Sequence, residues 1–157
     1  MKPADVIKLI ICCGVPLAIG FAGSFFMNSS DWYQTLQKPA FNPPNWVFAP
    51  VWTSLYLLMG VSAFLVWRKG LAGTAGRVAL ACFILQLLFN AFWTPIFFGA
   101  KQPLIAFGDI ILLWLAIAAT IICFYRVSKL SAVLLVPYIL WVSFAAVLNA
   151  SICMLNQ

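Results

Sequence analysis

The chain has 157 residues, 65% of them hydrophobic and 8% charged, with no His and no Glu. A soluble domain carries about 25% charged residues, so the composition excludes a soluble fold and indicates a protein embedded in lipid. Without His or Glu, and with no Gly-rich phosphate loop or GxSxG nucleophile elbow, the sequence offers none of the usual sites of polar catalysis or His-liganded metal.

Apolar stretches between the charged residues predict five membrane-spanning helices, because about 20 mostly apolar residues cross the hydrocarbon core of a bilayer. In chain order they are placed at 4–27, 44–67, 77–99, 103–125 and 129–154. Helices are expected because each backbone polar group must be satisfied within its own span. The sequence therefore predicts an all-α membrane protein, a five-helix bundle that forms a single transmembrane domain over residues 1–157. Prolines inside the spans predict local kinks, because each removes one helical hydrogen bond: Pro16, Pro50, Pro95 and Pro137.

The first span contains small residues at intervals of four, namely Gly14, Ala18 and Ala22. Small residues at this spacing allow two helices to approach closely. The sequence leaves two interpretations open: the stripe packs within the bundle, or it forms the seam of a dimer.

The longest connection, residues 28–45, joins the first two spans and is unusually aromatic for a loop. It contains Trp32, Tyr33 and Phe41, and its three prolines restrict the backbone to extended or turn geometry. We expect a structured lid over one end of the bundle. The alternative is that Trp32 and Tyr33 only anchor the chain at the membrane interface.

Helical rise places several aromatic and amide side chains at a similar depth, because each residue advances about 1.5 Å along the axis. They lie toward the half of the membrane beneath the expected lid: Trp52, Asn90, Trp93, Asp109, Trp141 and Asn149. Aromatic surroundings with a few polar groups are typical of a ligand cavity. The alternative is that the tryptophans belong to the interfacial belt and to ordinary packing.

Asp109 is the only ionisable side chain well inside a predicted span, a position that suggests a function. A proton relay needs further titratable groups, so we favour a hydrogen-bonded carboxyl that fastens the fourth span to a neighbour. The five cysteines fall within the spans, and their spacing fits no metal site. We interpret them as small apolar side chains.

The basic residues are distributed by loop, and this distribution predicts the orientation. Seven fall on one side of an alternating bundle, at Lys2, Lys8, Arg68, Lys69, Arg77, Arg126 and Lys129. Only Lys38 and Lys101 fall on the other side. Because cytoplasmic loops hold the excess of Lys and Arg, the N-terminus is predicted in the cytoplasm and the C-terminus outside. Nucleic acid is not suggested as a partner.

Three segments combine aromatic and proline residues in a specific order: WYQTLQKPAFNPPNWVFAPVWTSLYLLMG (32–60), FNAFWTPIFFG (89–99) and VPYILWVSFAAVLN (136–149). With these segments the chain resembles the translocator protein family, also called tryptophan-rich sensory proteins, TspO/MBR proteins or peripheral benzodiazepine receptors. The resemblance covers residues 14–149. It implies five helices around a pocket closed by the first loop, and homodimers. The location that we expect is a bacterial cell membrane. It also implies binding of tetrapyrroles such as protoporphyrin IX, of sterols in some members, and of benzodiazepine-type drugs.

By matching motifs, the resemblance implies a ligand site with no metal and no required cofactor, in which porphyrin is the ligand. That site would comprise Gly23, Tyr33, Pro43, Trp52, Asn90, Trp93, Trp141 and Ala145. The sterol motif of animal members is incomplete here, because no Tyr follows Tyr138 and no Lys or Arg follows Lys129.

Three functions stay open. The favoured one is a binding or sensory protein in which porphyrin stacks on the tryptophans and its carboxylates reach toward Lys38 and backbone N–H groups of the lid. One alternative is an enzyme that degrades porphyrin in light, which some members are reported to do, with Trp52 and Trp141 as the reacting positions. The other is a transporter of porphyrin or sterol-like ligands, although duplicated halves and coupling carboxylates are missing from the sequence.

Overall fold

The computed structural model of the protein describes residues 2–28, 31–71 and 73–156. Within these ranges five helical spans are long and apolar enough to cross a membrane, which confirms the predicted fold class. The elements are α1 (Pro3–Asn28), α2 (Trp32–Thr35), α3 (Asn45–Lys69), α4 (Thr74–Thr94), a π-helical turn (Pro95–Gly99), α5 (Pro103–Val127), α6 (Lys129–Leu134) and α7 (Val136–Leu155). Parts of two predictions lie outside the described residues: Ser29 and Ser30 of the expected lid, and Met1, Ala72 and Gln157 of the expected domain.

Two of the internal prolines change the helix in which they lie. Pro95 has no N–H to donate, and the chain widens from α4 into the π-helical turn, where the Ala100 N–H donates to the Pro95 carbonyl over 2.8 Å. Pro137 stands just inside α7, and the fifth predicted span is divided at Leu135. In α1 and α3 the helix continues through Pro16 and Pro50.

The bundle is held by two close helix pairs, α1 with α3 and α4 with α5. Glycine makes the first of these contacts possible: a Cβ atom added to Gly60 would lie 2.5 Å from the Cα atom of Cys13. Gly20 likewise lies directly against the ring of Tyr56. The predicted stripe of Gly14, Ala18 and Ala22 lies elsewhere, because all three residues are exposed on the outer face of α1. Packing within the bundle is therefore not the role of this stripe.

The core has two clusters that lie at different heights in the bundle. The larger one fills the centre and includes the fully buried side chains of Met59, Ile117 and Tyr138. The smaller one is built around Phe97 and Phe98 of the π-helical turn, and Trp32, Tyr33 and Leu36 of the first connection pack against it. We call this second region the loop end of the bundle.

Basic residues gather at the opposite end, which we call the basic end. The Lys8 ammonium lies 5.8 Å from the centroid of the Trp67 ring, so the start of α1 meets the end of α3 there. The Lys69 ammonium donates to the carbonyl of Val127 over 2.9 Å, which joins the ends of α3 and α5. Because successive spans run in opposite directions, basic residues from separate loops meet at one end of the bundle, as the sequence predicts.

Candidate functional site

A cavity of about 780 Å³ lies at the loop end, between all five spans and the first connection. Its volume falls in the range of small-molecule sites, about 300–1,000 Å³. Seven of the eight residues predicted for the ligand site line it: Gly23, Tyr33, Trp52, Asn90, Trp93, Trp141 and Ala145. Asn149, predicted from its depth, lines it as well. The predicted residues are thus brought together, and their role in binding stays a prediction.

Pro43 is the predicted site residue that does not line the cavity. Its carbonyl accepts a hydrogen bond from Asn42 Nδ2 over 3.1 Å, and Asn42 Oδ1 accepts one from the Tyr33 hydroxyl over 3.1 Å. Pro43 therefore contributes to the position of Tyr33 through Asn42. Burial raises the pKa of Tyr33 above its usual range, and the bond to Asn42 partly offsets this shift. The phenol is consequently a neutral donor at ordinary pH.

Each cavity tryptophan is held in place by a second aromatic ring. Trp52 stacks on Tyr56 with centroids 5.5 Å apart and planes 28° apart. Trp93 stacks on Phe97 at 5.1 Å and 21°. Trp141 packs against the edge of Phe48 with centroids 6.0 Å apart. Such ring pairs favour one orientation of each indole, so the cavity wall is preorganised.

The indole N–H groups of two of these tryptophans differ in their hydrogen bonding. Trp93 Nε1 donates to Asn149 Oδ1 over 3.2 Å. Trp141 Nε1 is buried and has no partner among the described residues. A buried donor without a partner costs about 1–3 kcal/mol, and such donors are rare in folded proteins. The Trp141 ring thus lines the cavity, whereas its N–H is enclosed by the protein.

Beside the cavity lies a chain of buried hydrogen bonds that links three spans. The Tyr56 hydroxyl donates to Asn90 Oδ1 over 3.0 Å, and Asn90 Nδ2 donates to the Tyr138 hydroxyl over 3.0 Å. The Tyr138 hydroxyl in turn donates to Gln86 Oε1 over 2.9 Å. The sequence analysis missed Tyr56, Tyr138 and Gln86. The available signal was the pair of amides Gln86 and Asn90, four residues apart on one face of an apolar helix.

Asp109 lies at the predicted depth, next to Ile110 of the cavity wall, but it neither faces the cavity nor shows the expected hydrogen bond at its buried oxygen. Its side chain is absent from the cavity lining, which α5 supplies through Ile110 and Leu113. Asp109 Oδ2 is buried without a hydrogen-bond partner in the described part of the chain. Successive helical residues are turned by about 100°, so a residue at the right depth can still face away from the cavity.

The first connection packs on the π-helical turn at the loop end by direct contacts. Trp32 packs on Phe97 with centroids 5.8 Å apart, and Tyr33 packs on Phe98 at 5.3 Å. Farther along, the Gln37 N–H donates to Asn156 Oδ1, and Asn156 Nδ2 donates to the Gln37 carbonyl, both over 2.9 Å. The connection is therefore tied to the end of α7.

The charges at the cavity differ from those expected for an acidic ligand. Asp31 lines it, and no Lys or Arg is found among the described lining residues. The Lys38 ammonium donates to the Leu36 carbonyl over 3.4 Å and lies 4.6 Å from the centroid of the Tyr33 ring. The predicted use of Lys38 for porphyrin carboxylates therefore lacks support, because its ammonium is engaged within the loop.

Comparison with known proteins gives concordant results over nearly the whole chain. The sequence pattern of the TspO/MBR family matches residues 12–155. The tryptophan-rich protein TspO of Chlorobaculum tepidum is 45% identical over 154 residues, which cover 97% of this chain and 98% of the relative. The tryptophan-rich sensory protein of Cereibacter sphaeroides is 38% identical over 156 residues, with 99% and 94% covered. The translocator protein of Homo sapiens is 44% identical over 133 residues, with 82% and 78% covered.

Proposed function

The chain belongs to the TspO/MBR family, and on that premise we propose that it binds a tetrapyrrole such as protoporphyrin IX in the cavity at its loop end. It is a multi-pass membrane protein, and the names of its relatives support a sensory or binding role. No cofactor is needed for this role, because the tetrapyrrole is itself the ligand. The membrane is proposed to be a bacterial cell membrane, and the active form a homodimer.

One observation carries the proposal: three indoles from three different spans line one cavity. Trp52 belongs to α3, Trp93 to α4 and Trp141 to α7. A flat aromatic macrocycle gains from stacking on such rings, by about 0.5–1.5 kcal/mol for each contact beyond the burial of area.

The acidic groups of such a ligand meet neutral donors rather than a cation. Gln34, Asn45 and Thr94 line the cavity and bring amide and hydroxyl donors to it. Asp31 disfavours a second carboxylate at its own position, because like charges at short range repel. We therefore expect the porphyrin carboxylates to face Gln34, Asn45 or water, and not Lys38.

The proposal is tested by titrating the purified protein with protoporphyrin IX and following the absorption of the porphyrin. Trp141→Phe replaces the indole with a smaller ring, so the loss of stacking area should weaken binding about three- to tenfold. Trp52→Phe should weaken binding through lost stacking area. The matched control is Trp46→Phe, because Trp46 is 75% exposed and does not line the cavity. Wild-type affinity in both cavity variants, or an equal loss in the control, would count against the site.

Light-dependent degradation is the second candidate, because oxidisable rings adjoin the cavity. Trp52 stacks on Tyr56 and packs against the edge of Tyr138 with centroids 6.3 Å apart. An enzyme of this kind would convert bound porphyrin and O₂ to a defined product in light, and would do so faster than free porphyrin reacts in the same detergent. Product formation that persists unchanged in Trp52→Phe and Trp141→Phe would argue for photochemistry of the bound ligand alone.

We propose the orientation of the protein in the membrane from the position of its basic residues. Lys8 meets Trp67 and Lys69 meets Val127, so basic residues of separate loops share one face of the bundle. Because positively charged loops stay in the cytoplasm, the basic end is proposed to face the cytoplasm and the cavity the outer side. A phosphatase reporter fused after Gln157 should be active. A fluorescent protein at the same place that folds in the cytoplasm would reverse the assignment.

A further inference from the structure

A second groove, of about 240 Å³, opens near the basic end of the bundle and shares no lining residue with the first cavity. Its walls come from α1, α3 and α4, with Phe124 of α5 beneath them. Along α4 it reaches from Leu80 to Leu87, a length of about 10 Å by helical rise. The groove therefore lies in the half of the membrane opposite the proposed tetrapyrrole site.

The lining of this groove is apolar throughout, and its open side lies on the outer surface of the bundle. Val66 and Phe124 at its base are 2% and 1% exposed, whereas Val15 and Ile84 at its mouth are 47% and 49% exposed. Its volume is below the range of about 300–1,000 Å³ typical of drug-sized ligands. A groove of this shape fits part of one hydrocarbon chain better than a ring system.

A cation stands at the rim of the groove. Trp67 is one of its lining residues, and the Lys8 ammonium lies 5.8 Å from the Trp67 ring centroid. Arg68 and Lys69 follow directly, at the end of α3. The Lys69 ammonium is hydrogen-bonded to the Val127 carbonyl, away from the groove lining. The Lys8 ammonium, by contrast, lies at the rim itself, beside Trp67. An apolar groove with a positive rim is complementary to a molecule that joins a hydrocarbon chain to an anionic head.

We propose that the groove is a binding site for an anionic phospholipid, with the upper part of one acyl chain in the groove and the phosphate at Lys8. The bilayer supplies this ligand on the open side, and basic residues near a membrane surface attract anionic lipid. A zwitterionic lipid carries a cationic group as well, which the neighbouring basic residues disfavour. The site is independent of the proposed tetrapyrrole cavity.

The preference of the protein for one lipid headgroup over another tests the role of Lys8 at the rim of the groove. Purified protein is mixed with equal amounts of phosphatidylglycerol and phosphatidylcholine of identical chains, and the retained lipid is counted by native mass spectrometry. Phosphatidylglycerol should be retained in preference, and Lys8→Gln should lower the ratio about fivefold, as expected for one basic residue at an anionic headgroup. Lys101→Gln is the control, because it removes one basic residue at the loop end. Equal retention of the two lipids, or an unchanged ratio in Lys8→Gln, overturns the proposal.

The position of the lipid acyl chain is tested separately, by a substitution that fills the groove. A phosphatidylglycerol with a photoreactive diazirine in its upper acyl chain should label peptides that contain residues 11–15 and 80–87. Val15→Phe fills the mouth of the groove and should reduce this labelling severalfold. Ile105→Phe is the control, since Ile105 is 59% exposed and lies on α5 outside the groove. Labelling spread evenly over α5, or unchanged in Val15→Phe, overturns the proposal even if the headgroup preference is found.

Discussion

The indole N–H of Trp93 donates a hydrogen bond to Asn149 Oδ1 over 3.2 Å and so ties α4 to α7 at the wall of the cavity. Asn149 Nδ2 donates in turn to the carbonyl of Pro103, at the start of α5, over 2.9 Å. One amide therefore joins three spans. Asn149 is 1% exposed, so both bonds are made inside the protein.

Replacing Asn149 with Ala should destabilise the bundle, because it leaves the Trp93 N–H and the Pro103 carbonyl without this partner. Interhelical hydrogen bonds in membranes contribute about 0.6–2 kcal/mol each, so a loss of about 1–3 kcal/mol in the free energy of unfolding is expected. The measurement is denaturant unfolding in detergent micelles. Ser151→Ala is the control, since the described partner of the Ser151 hydroxyl is the Val147 carbonyl of its own helix. An equal effect of both substitutions would show that Asn149 does not join the helices.

Gly60→Ala should be strongly destabilising, because the added methyl group would lie 2.5 Å from the Cα atom of Cys13. Forcing α1 and α3 apart is expected to cost about 1–3 kcal/mol. Gly14→Ala is the matched control, since no described atom beyond its chain neighbours and its own helix backbone lies within 4 Å of its added Cβ. There the better helix propensity of Ala should stabilise the protein by up to about 1 kcal/mol. Thermal unfolding of the two variants should shift in opposite directions, and equal shifts would contradict the packing of α1 on α3.

The five spans and the depth of the cavity residues were predictable, because lipid imposes helices and residue count sets height along the axis. Rotation about the axis was not predictable. The stripe at Gly14 was a reasonable candidate for close packing, yet the close contacts fall at Gly20 and Gly60. The spacing of small residues identifies one face of a helix. Which neighbouring helix packs on that face depends on the packing of all the helices together.

The predictions for Asp109 and Lys38 failed for a similar reason: the sequence does not determine the direction in which a side chain points. Depth placed Asp109 correctly near the loop end, but the cavity is lined by Ile110, the next residue round the helix. Lys38 lies in the first connection as expected, but its long side chain folds back onto Tyr33. Flexible side chains choose among several nearby partners, and the sequence does not fix that choice.

Oxidation should join Cys82 to Cys123, because their sulfur atoms lie 3.7 Å apart across the contact between α4 and α5. Copper phenanthroline supplies the oxidant, and each thiol loses one electron and one proton as the S–S bond forms. Alkylation of the remaining thiols followed by mass spectrometry should show one intramolecular bridge between these two positions. Cys153 should stay alkylatable and serves as the internal control. A bridge from Cys82 to any other cysteine would contradict the register of α4 on α5.

Replacing Asp109 with Leu should stabilise the protein, because Asp109 Oδ2 is buried without a hydrogen-bond partner in the described structure. A carboxyl group inside a membrane span is costly, and its removal is expected to raise the free energy of unfolding by about 1–3 kcal/mol. Ile105→Leu, an apolar exchange at an exposed site on the same helix, should change little. Unfolding in detergent measures both variants. If Asp109 instead fastens α5 to a neighbour, as the sequence suggested, Asp109→Leu will be less stable than the wild type, and Asp109→Asn will keep most of the lost stability.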